Sequence, residues 1–583
     1  MRVAMRLSRG LAAALVLAAV ARGACAQTAA APAPACPDAG LALPAGFCAT
    51  VFADHIGHAR HLVVSKSGVV YVNTWSGRYY KNRAPHAGGF LVALQDTTAS
   101  GVANVNERFG AGATEGAAGG TGIALYDGAI YAEESDRIER YTLAAGAIVP
   151  GGPPEVIVSG LPLGGDHPMH PFVIDADGAL YVDVASATNS CQQRNRQFQS
   201  PGIKPCTELQ TRGGIWRFEA AKSGQKFSPA QRYASGIRNA DGIAVDADGR
   251  GLYATQQGRD QLHQNWPAFY KPEEEATQPA EVLLKISRDA DYGWPECYFD
   301  AIQDKLVLAP EYGGNGGRAI GECATKVAPV AGFAAHWAPN DVVIYPGGSF
   351  PERYRNGAFI AFHGSWDRAP YPQGGYNIVF QPLSAGRASG RCVVFADGFA
   401  GAVKDPERAA HRPAGVAVGP DGALYVSDDV GGRIYRIVYA GARAGAGAAG
   451  TPCPPADEPA GSTGSAGARP PEGIHANAAA LAIPPGSSRR MVELGDPVFH
   501  GLGGAACTGC HGSDATGTAV GPDLTARSWL WSDGSYAAIT RVISEGVAQP
   551  KRFSGSMPPM GGAQLTPEQL SAVSAYVWAL SHR

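Results

Sequence analysis

Between residue 40 and about residue 440 the apolar positions come in short alternating segments, broken by turns in which Gly follows Asp, Asn or Ser. The unit appears as Lys66-Ser67-Gly68-Val69-Val70-Tyr71-Val72, as Tyr126-Asp127-Gly128-Ala129-Ile130-Tyr131 and as Asp177-Gly178-Ala179-Leu180-Tyr181-Val182. It returns at Asp248-Gly249, Asn356-Gly357 and Asp421-Gly422, each followed by its own β-rich segment, which makes six copies. Turns of this kind need residues that tolerate positive φ, and between apolar runs they are the strongest short-range hairpin signal. A third strand is expected after each hairpin, over Phe90 to Leu94, Arg137 to Leu143, Ile215 to Glu219, Val282 to Ser287, Tyr376 to Phe380 and Ile434 to Tyr439. Repeats spaced unevenly by roughly 50 to 110 residues suit blades that carry loop insertions, because radial repetition leaves few exposed sheet edges. The pattern predicts an all-β six-bladed β-propeller over residues 40–440. A β-sandwich with similar hairpins is the alternative, although six regular units exceed what one sandwich usually shows.

The pattern then changes twice. Residues 441–487 are Ala, Gly, Pro and Ser with almost no large apolar side chain, so a tether is expected there. Residues 488–583 read as helical and predict a small all-α domain. Thr566-Pro567-Glu568-Gln569 is a capping box with Pro at the first helical position, and Leu570, Val573, Tyr576, Val577 and Leu580 form one apolar face. This domain contains Cys507-Thr508-Gly509-Cys510-His511. Two thiols at that spacing can form thioethers to both haem vinyl groups while the adjoining imidazole meets the iron, so one covalent haem c is expected. A zinc or redox pair beside a chance His is the alternative; no second CxxC follows to support it. The flanks resemble class I cytochromes c. Gly521-Pro522-Asp523-Leu524 is similar to the loop whose Pro carbonyl accepts the N–H of the iron-bound His. Within Ser556-Met557-Pro558-Pro559-Met560 the resemblance puts the sixth iron ligand at Met557, with Met560 the alternative. A filled sixth position implies electron transfer rather than oxygen chemistry.

Composition narrows the setting. A 583-residue chain with 45% hydrophobic residues can hold several folding units, and a net charge of −3 gives no basic footprint, so nucleic acid is not an expected partner. Arg2 and Arg6, the apolar run Leu11 to Val20 and Ala24-Cys25-Ala26 read as a signal peptide over residues 1–26, cut near Ala26. No later run approaches the ~20 apolar residues of a spanning helix, so a periplasmic or secreted protein that does not span the membrane is expected. Of eleven cysteines, setting aside Cys25 and the haem pair leaves eight. Proximity in sequence suggests Cys36–Cys48, Cys191–Cys206, Cys297–Cys323 and Cys392–Cys453, out of 105 formal pairings.

Loops on one face of a propeller converge on its axis, so polar residues flanking the repeated strands are where chemistry is expected. Four constellations lie there: Asp166-His167, Arg238-Asn239, the box from His363 to Arg368, and His411-Arg412-Pro413. With Tyr292-Gly293-Trp294-Pro295, and in this order, they make the region from about Gly46 to Tyr439 resemble the soluble PQQ-dependent glucose and sorbosone dehydrogenases, a family that includes fungal pyranose dehydrogenases. The resemblance implies a sugar as substrate, PQQ and Ca²⁺ as cofactors, and an external electron acceptor (a soluble cytochrome, an oxidase or a quinone). It makes His167 the base that removes a hydroxyl proton, with Asp166 beside it, and Arg238 the cation that polarises the reacting carbonyl, with Asn239 as companion. Arg368 and Arg412 become candidate clamps for the carboxylates of PQQ, and the Gly258 and Arg259 carbonyls candidate calcium ligands. His170 and His363 stay open as alternative bases, and the Trp294 box reads as blade packing. Two departures stand out. The family's Gln near the cofactor has no counterpart at Ala117 to Gly122, and Arg259 replaces a Pro of the glucose-oxidising branch, which places the chain nearer the sorbosone and pyranose branch. A metal-dependent lactonase or sugar-binding propeller is the rival expectation; it wants acidic ligands, whereas these constellations are rich in Arg.

Overall fold

The computed structural model describes residues 39–74, 88–110, 120–246, 248–368, 371–404, 406, 409–441, 450–456, 478–500, 502, 505, 507–512, 515–517, 521–547, 550–553, 557–563 and 565–583. The predicted signal peptide, Cys36 and most of the expected tether lie outside these residues.

Six four-stranded antiparallel units stand around one axis. The first blade is Ala59–Val64, Val70–Thr74, Leu91–Gln95 and Val105–Phe109, and the second is Ile123–Tyr126, Ala129–Glu134, Arg137–Thr142 and Glu155–Ser159. The third blade is Phe172–Ile174, Ala179–Val184, Gly214–Glu219 and Arg232–Ser235, and the fourth is Ile243–Val245, Leu252–Gln256, Glu281–Ile286 and Ala331–Phe333. The fifth is Pro339–Ile344, Ala358–Phe362, Asn377–Gln381 and Val393–Ala396. The sixth takes Pro413–Val418, Leu424–Asp428 and Arg433–Tyr439 from the end of the propeller, and Phe47–Ala53 from its beginning as the outermost strand. Pairing of Phe47 with Tyr439 and Ala49 with Ile437 closes the ring. All six predicted Gly turns join the first two strands of a blade, and each expected third strand lies within one residue of the observed one.

The Gly turns lie at one end of the blades, and the connections that carry the polar constellations lie at the other. There the links into each innermost strand carry Asp166, His167, Arg238 and Arg412, while the links between second and third strands carry residues 189–196, 257–280 and 363–368.

Residues 441–487 are not a uniform tether. Thr451–Pro452 adds an edge strand to the fifth blade, pairing with Val393 and Val394, and Cys453 is disulfide-bonded to Cys392. Leu481 is buried in the core of the helical domain, and Arg489 donates to the carbonyls of Ala478 and Leu481, so that domain begins before residue 488. The short apolar content of these pieces hid them: each relies on a neighbour rather than on a pattern of its own. Cys191–Cys206 and Cys297–Cys323 form as the spacing suggested, while the partner expected for Cys48, Cys36, lies outside the described residues.

The helical domain packs Arg489–Phe499, Tyr536–Glu545 and Pro567–Leu580 around Val492, Phe499, Ile539, Val573 and Tyr576. Ser488, Ser535 and Thr566 cap the three helices with side-chain oxygens, Thr566 in the reciprocal arrangement with Gln569. Among the described residues no helix is long and apolar enough to cross a membrane.

Candidate functional site

The haem motif lies on a short helix, Cys507–His511, beside an apolar cleft. Cys507, Cys510, His511 and Met557 line it together with Trp529 and Val577, almost all of it apolar. Neither thiol is in a disulfide, and burial pushes their pKa values up to about 12 for Cys507 and about 11 for Cys510. His511 Nδ1 donates to the Pro522 carbonyl at 2.9 Å, and burial keeps the ring neutral, so Nε2 carries the lone pair that an iron needs. Met557 is fixed by backbone bonds to Val547 and faces the cleft, whereas Met560, at φ 55°, is not among the lining residues. The residues fit a haem bound through two thioethers, His511 and Met557.

On the propeller, buried charges from four connections meet. Arg196 Nε reaches Asp166 Oδ2 at 2.8 Å, and Asp260 Oδ2 accepts from Arg196 Nη2 at 2.9 Å and from Arg238 Nη2 at 2.8 Å. Burial works against both carboxylates, but the arginines outweigh it and hold Asp166 and Asp260 below the usual carboxylate range. Asn189 organises the loops: its carbonyl and Oδ1 accept from Arg238, its Oδ1 also accepts from the Asp260 N–H, and Trp294 Nε1 donates to the same carbonyl. The Trp294 box is thus structural, as expected, though what it braces is the charged cluster.

His167 lies against this cluster. Its Nδ1 is 2.9 Å from the Ser186 carbonyl, and burial, helped by Arg238, lowers its pKa to about 3. The ring is neutral, with Nε2 as its lone-pair nitrogen. The two alternative bases are otherwise engaged. Both ring nitrogens of His170 are held, by Glu133 at 3.2 Å and the Pro162 carbonyl at 3.1 Å, and His363 Nε2 is paired with Asp429 at 2.9 Å.

The remaining expected residues divide. Asn239 is buried beside Arg238, its carbonyl accepting from Gln257 N. Arg412 rests over the Tyr376 ring and donates to the carbonyls of His363 and Gly364. Arg368 is 1% exposed and donates to the carbonyls of Pro372, Ala276 and Ala335, so it holds loops together; Nη2 alone has no partner among the described residues. The Arg259 guanidinium turns away to Glu311, while Gly258 N is held by Glu281, and no donor meets either carbonyl among the described residues. That suits the hard-oxygen role expected of them. Next to this loop, Asp260, His336 and Asp367 offer ligand atoms within 4.8 Å of one another, and Asp367 Oδ1 is buried without a partner among the described residues. A divalent cation and an anion with carboxylates would satisfy these orphaned groups and the spare Arg368 nitrogen, so the residues fit Ca²⁺ and PQQ.

Sequence reasoning missed Asn189, Arg196, Asp260, His336 and Asp367. Asp260 and Asp367 adjoin residues that were chosen, and only their neighbours' motifs pointed to them. Arg196 sits in an irregular polar stretch inside the Cys191–Cys206 loop, where no pattern marks it.

The fold and sites define a six-bladed β-propeller fused to a cytochrome c domain. Residues 41–440 match the family described as TrAA12-like, and the chain belongs to that family. Residues 501–577 match the family described as cytochrome c oxidase, cbb3-type, subunit III. A structure of Trichoderma reesei Carbohydrate-Active Enzymes Family AA12 covers 69% of this chain and 98% of its own, at 18% identity and a TM-score of 0.54. The holo pyranose dehydrogenase PQQ domain from Coprinopsis cinerea covers 69% and 98%, at 17% identity and a TM-score of 0.52; at these identities the likeness is one of fold. An uncharacterised protein of Borreliella burgdorferi is 28% identical over 208 residues, 35% of this chain and 48% of its own. The cbb3-type oxidase subunit FixP of Rhizobium etli is 39% identical over 79 residues, 13% of this chain and 27% of its own. The chain thus spans about half or less of the curated relatives it matches.

Proposed function

We propose that this protein is an exported quinohaemoprotein that oxidises the C1 hydroxyl of an aldose, or an aldosone such as sorbosone, and passes the electrons through its own haem to an external acceptor. The observation that carries this reading is the meeting of a neutral, oriented His167 with Asp166 and Arg238 in one buried cluster on the loop face. The shared fold of the Coprinopsis cinerea protein, a pyranose dehydrogenase PQQ domain, supports the choice of sugar and cofactor. Three disulfides and a covalent haem motif support an oxidising compartment outside the cytoplasm.

The chain's own residues have separable tasks. Ser186 fixes the His167 tautomer, so Nε2 is the atom that takes the C1 hydroxyl proton. Arg238 places positive charge where an oxyanion develops, and its ion pair with Asp260 keeps it aligned. Asp166 anchors Arg196, which closes the other side of the cluster. Gly258 and Arg259 would hold Ca²⁺ through their carbonyls, with Asp260 close by. PQQ, when bound, supplies an electrophilic carbonyl that accepts hydride.

The Asp260, His336 and Asp367 group also favours a second reading, a metal-dependent lactonase. One experiment separates them. The full-length, haem-loaded protein is reconstituted with PQQ and Ca²⁺ and given a panel of aldoses, aldosones and sugar lactones. Haem reduction that needs PQQ and an aldose or aldosone is the expected result; lactone hydrolysis without haem reduction would replace the dehydrogenase with the lactonase.

A further inference from the structure

We infer that Trp366 is the bridge between the sugar-oxidising cluster and the haem, and that the cytochrome domain docks on it with the two loops that hold the iron. This rests on the proposed function and adds the route by which electrons leave the propeller.

The contact is written in two glycines. Gly509 lies between the haem cysteines, and a Cβ built there would stand 2.8 Å from Trp366 Cε3 and 2.9 Å from Cζ3. Haem attachment fixes the cysteines and the histidine but leaves the two residues between them open, so the chemistry of the motif does not call for a glycine. Close approach to an indole does. Gly562, just beyond Met557, is the second point: its Cβ would meet Gln264 Cβ at 2.1 Å, in the propeller helix Leu262–Asn265. The cysteine loop and the methionine loop, which would hold the haem, are thus both seated on the propeller.

Trp366 also meets the charged cluster. The Arg196 guanidinium lies 5.9 Å from the indole centroid, and the same Arg196 holds Asp166 and Asp260. A half-buried indole thus fills the space between cluster and haem motif, where tunnelling otherwise has to cross saturated side chains or solvent. Each oxidised sugar leaves two electrons and two protons. The electrons reach ferric haem one at a time, an external one-electron acceptor reoxidises the haem between them, and the protons go to water.

The test uses the full-length holoprotein as wild type, Trp366→Phe, Trp366→Leu and Gly509→Ala. Two signals are read with PQQ and Ca²⁺ bound: stopped-flow haem reduction after sugar, and sugar-dependent reduction of a soluble two-electron dye. The expected result is a fall of at least tenfold in the ratio of haem to dye reduction in Trp366→Leu and Gly509→Ala, with Trp366→Phe in between. Hydrogen exchange supplies a readout that needs no turnover: backbone amides in 507–512 and 557–563 are protected in the wild type and lose protection in Gly509→Ala. An unchanged ratio in Trp366→Leu overturns the bridge, and equal exchange in wild type and Gly509→Ala overturns the docking. Absence of sugar-driven dye reduction in the wild type sinks the proposed function and with it the electron route, and exchange then judges the docking surface alone.

Discussion

His167 and His170 are three residues apart on the same connection, yet they end as different chemical objects. His170 spends both ring nitrogens on Glu133 and the Pro162 carbonyl, whereas His167 spends Nδ1 on Ser186 and keeps Nε2. The sequence could nominate both but not separate them, because Glu133 and Ser186 reach them from strands and links distant in sequence. Asp166-His167 and Arg238 were legible because each pair is local and sits at a strand boundary; Arg196 and Asp260 were not, because their roles come from one loop meeting another. The difference gives a prediction at the residue scale. His167→Gln keeps the size and one polar end but no base, so sugar-dependent dye reduction falls about 10²- to 10⁴-fold while the haem spectrum is unchanged. The pH profile follows from the lowered pKa. A free imidazole becomes protonated as pH falls through about 6.5, but burial and Arg238 delay this to about 3 for His167. The base is present above its lowered pKa and lost only as pH falls through it, so kcat/KM for dye reduction keeps more than half of its neutral value at about pH 5.5. An acid limb centred near an ordinary imidazole pKa would show that the ring is solvated in the working enzyme.

At the scale of elements, hairpins were the most legible part of the chain, since a Gly turn and two alternating segments specify themselves within a dozen or so residues. What the pattern could not show were the pieces that borrow structure: the edge strand Thr451–Pro452, which pairs with the fifth blade and is tied down by Cys453, and the connection between Val184 and Gly214, whose small core of Cys191, Ile203, Cys206 and Leu209 is closed by Trp294 from another connection. That connection matters most, because it carries Asn189 and Arg196 into the cluster. The Cys191–Cys206 bond closes a loop over 15 positions at its base. Replacing both cysteines by Ser is expected to cost about 3 kcal/mol through the loop entropy regained on unfolding, read by denaturant unfolding of the propeller. Because Arg196 lies inside the loop, the same variant is also expected to bind PQQ more weakly, read as the PQQ concentration that restores half of the dye-linked activity. Equal stability with normal reconstitution would mean that backbone bonds alone set the loop.

For the whole molecule the decisive feature is the closure of the ring. A propeller whose first and last blades only abut can open at the seam; here Phe47–Ala53 pairs with Arg433–Tyr439, so the start of the domain completes its last blade. Closure keeps the connections of the third and fourth blades at fixed distances, which the meeting of Asp166, Arg196, Arg238 and Asp260 requires. The closing strand is held by more than its ladder. Phe47 packs edge-on against Phe350 at 4.8 Å, Phe395 at 4.9 Å and Tyr354 at 5.5 Å, an aromatic group shared between the fifth and sixth blades. Phe47→Ala removes that anchor and leaves a cavity, for which about 3 to 5 kcal/mol is the expected cost. A cavity in one blade would loosen that blade alone, but one at the seam loosens the ring. Hydrogen exchange in Phe47→Ala should therefore accelerate in both the first and the sixth blades, on either side of the closing strand, with the helical domain unaffected. Faster exchange confined to the contacts of Phe47 would show that the strand is an ornament on a ring already closed by blade-to-blade packing, and the fixed spacing of the site would then need another source.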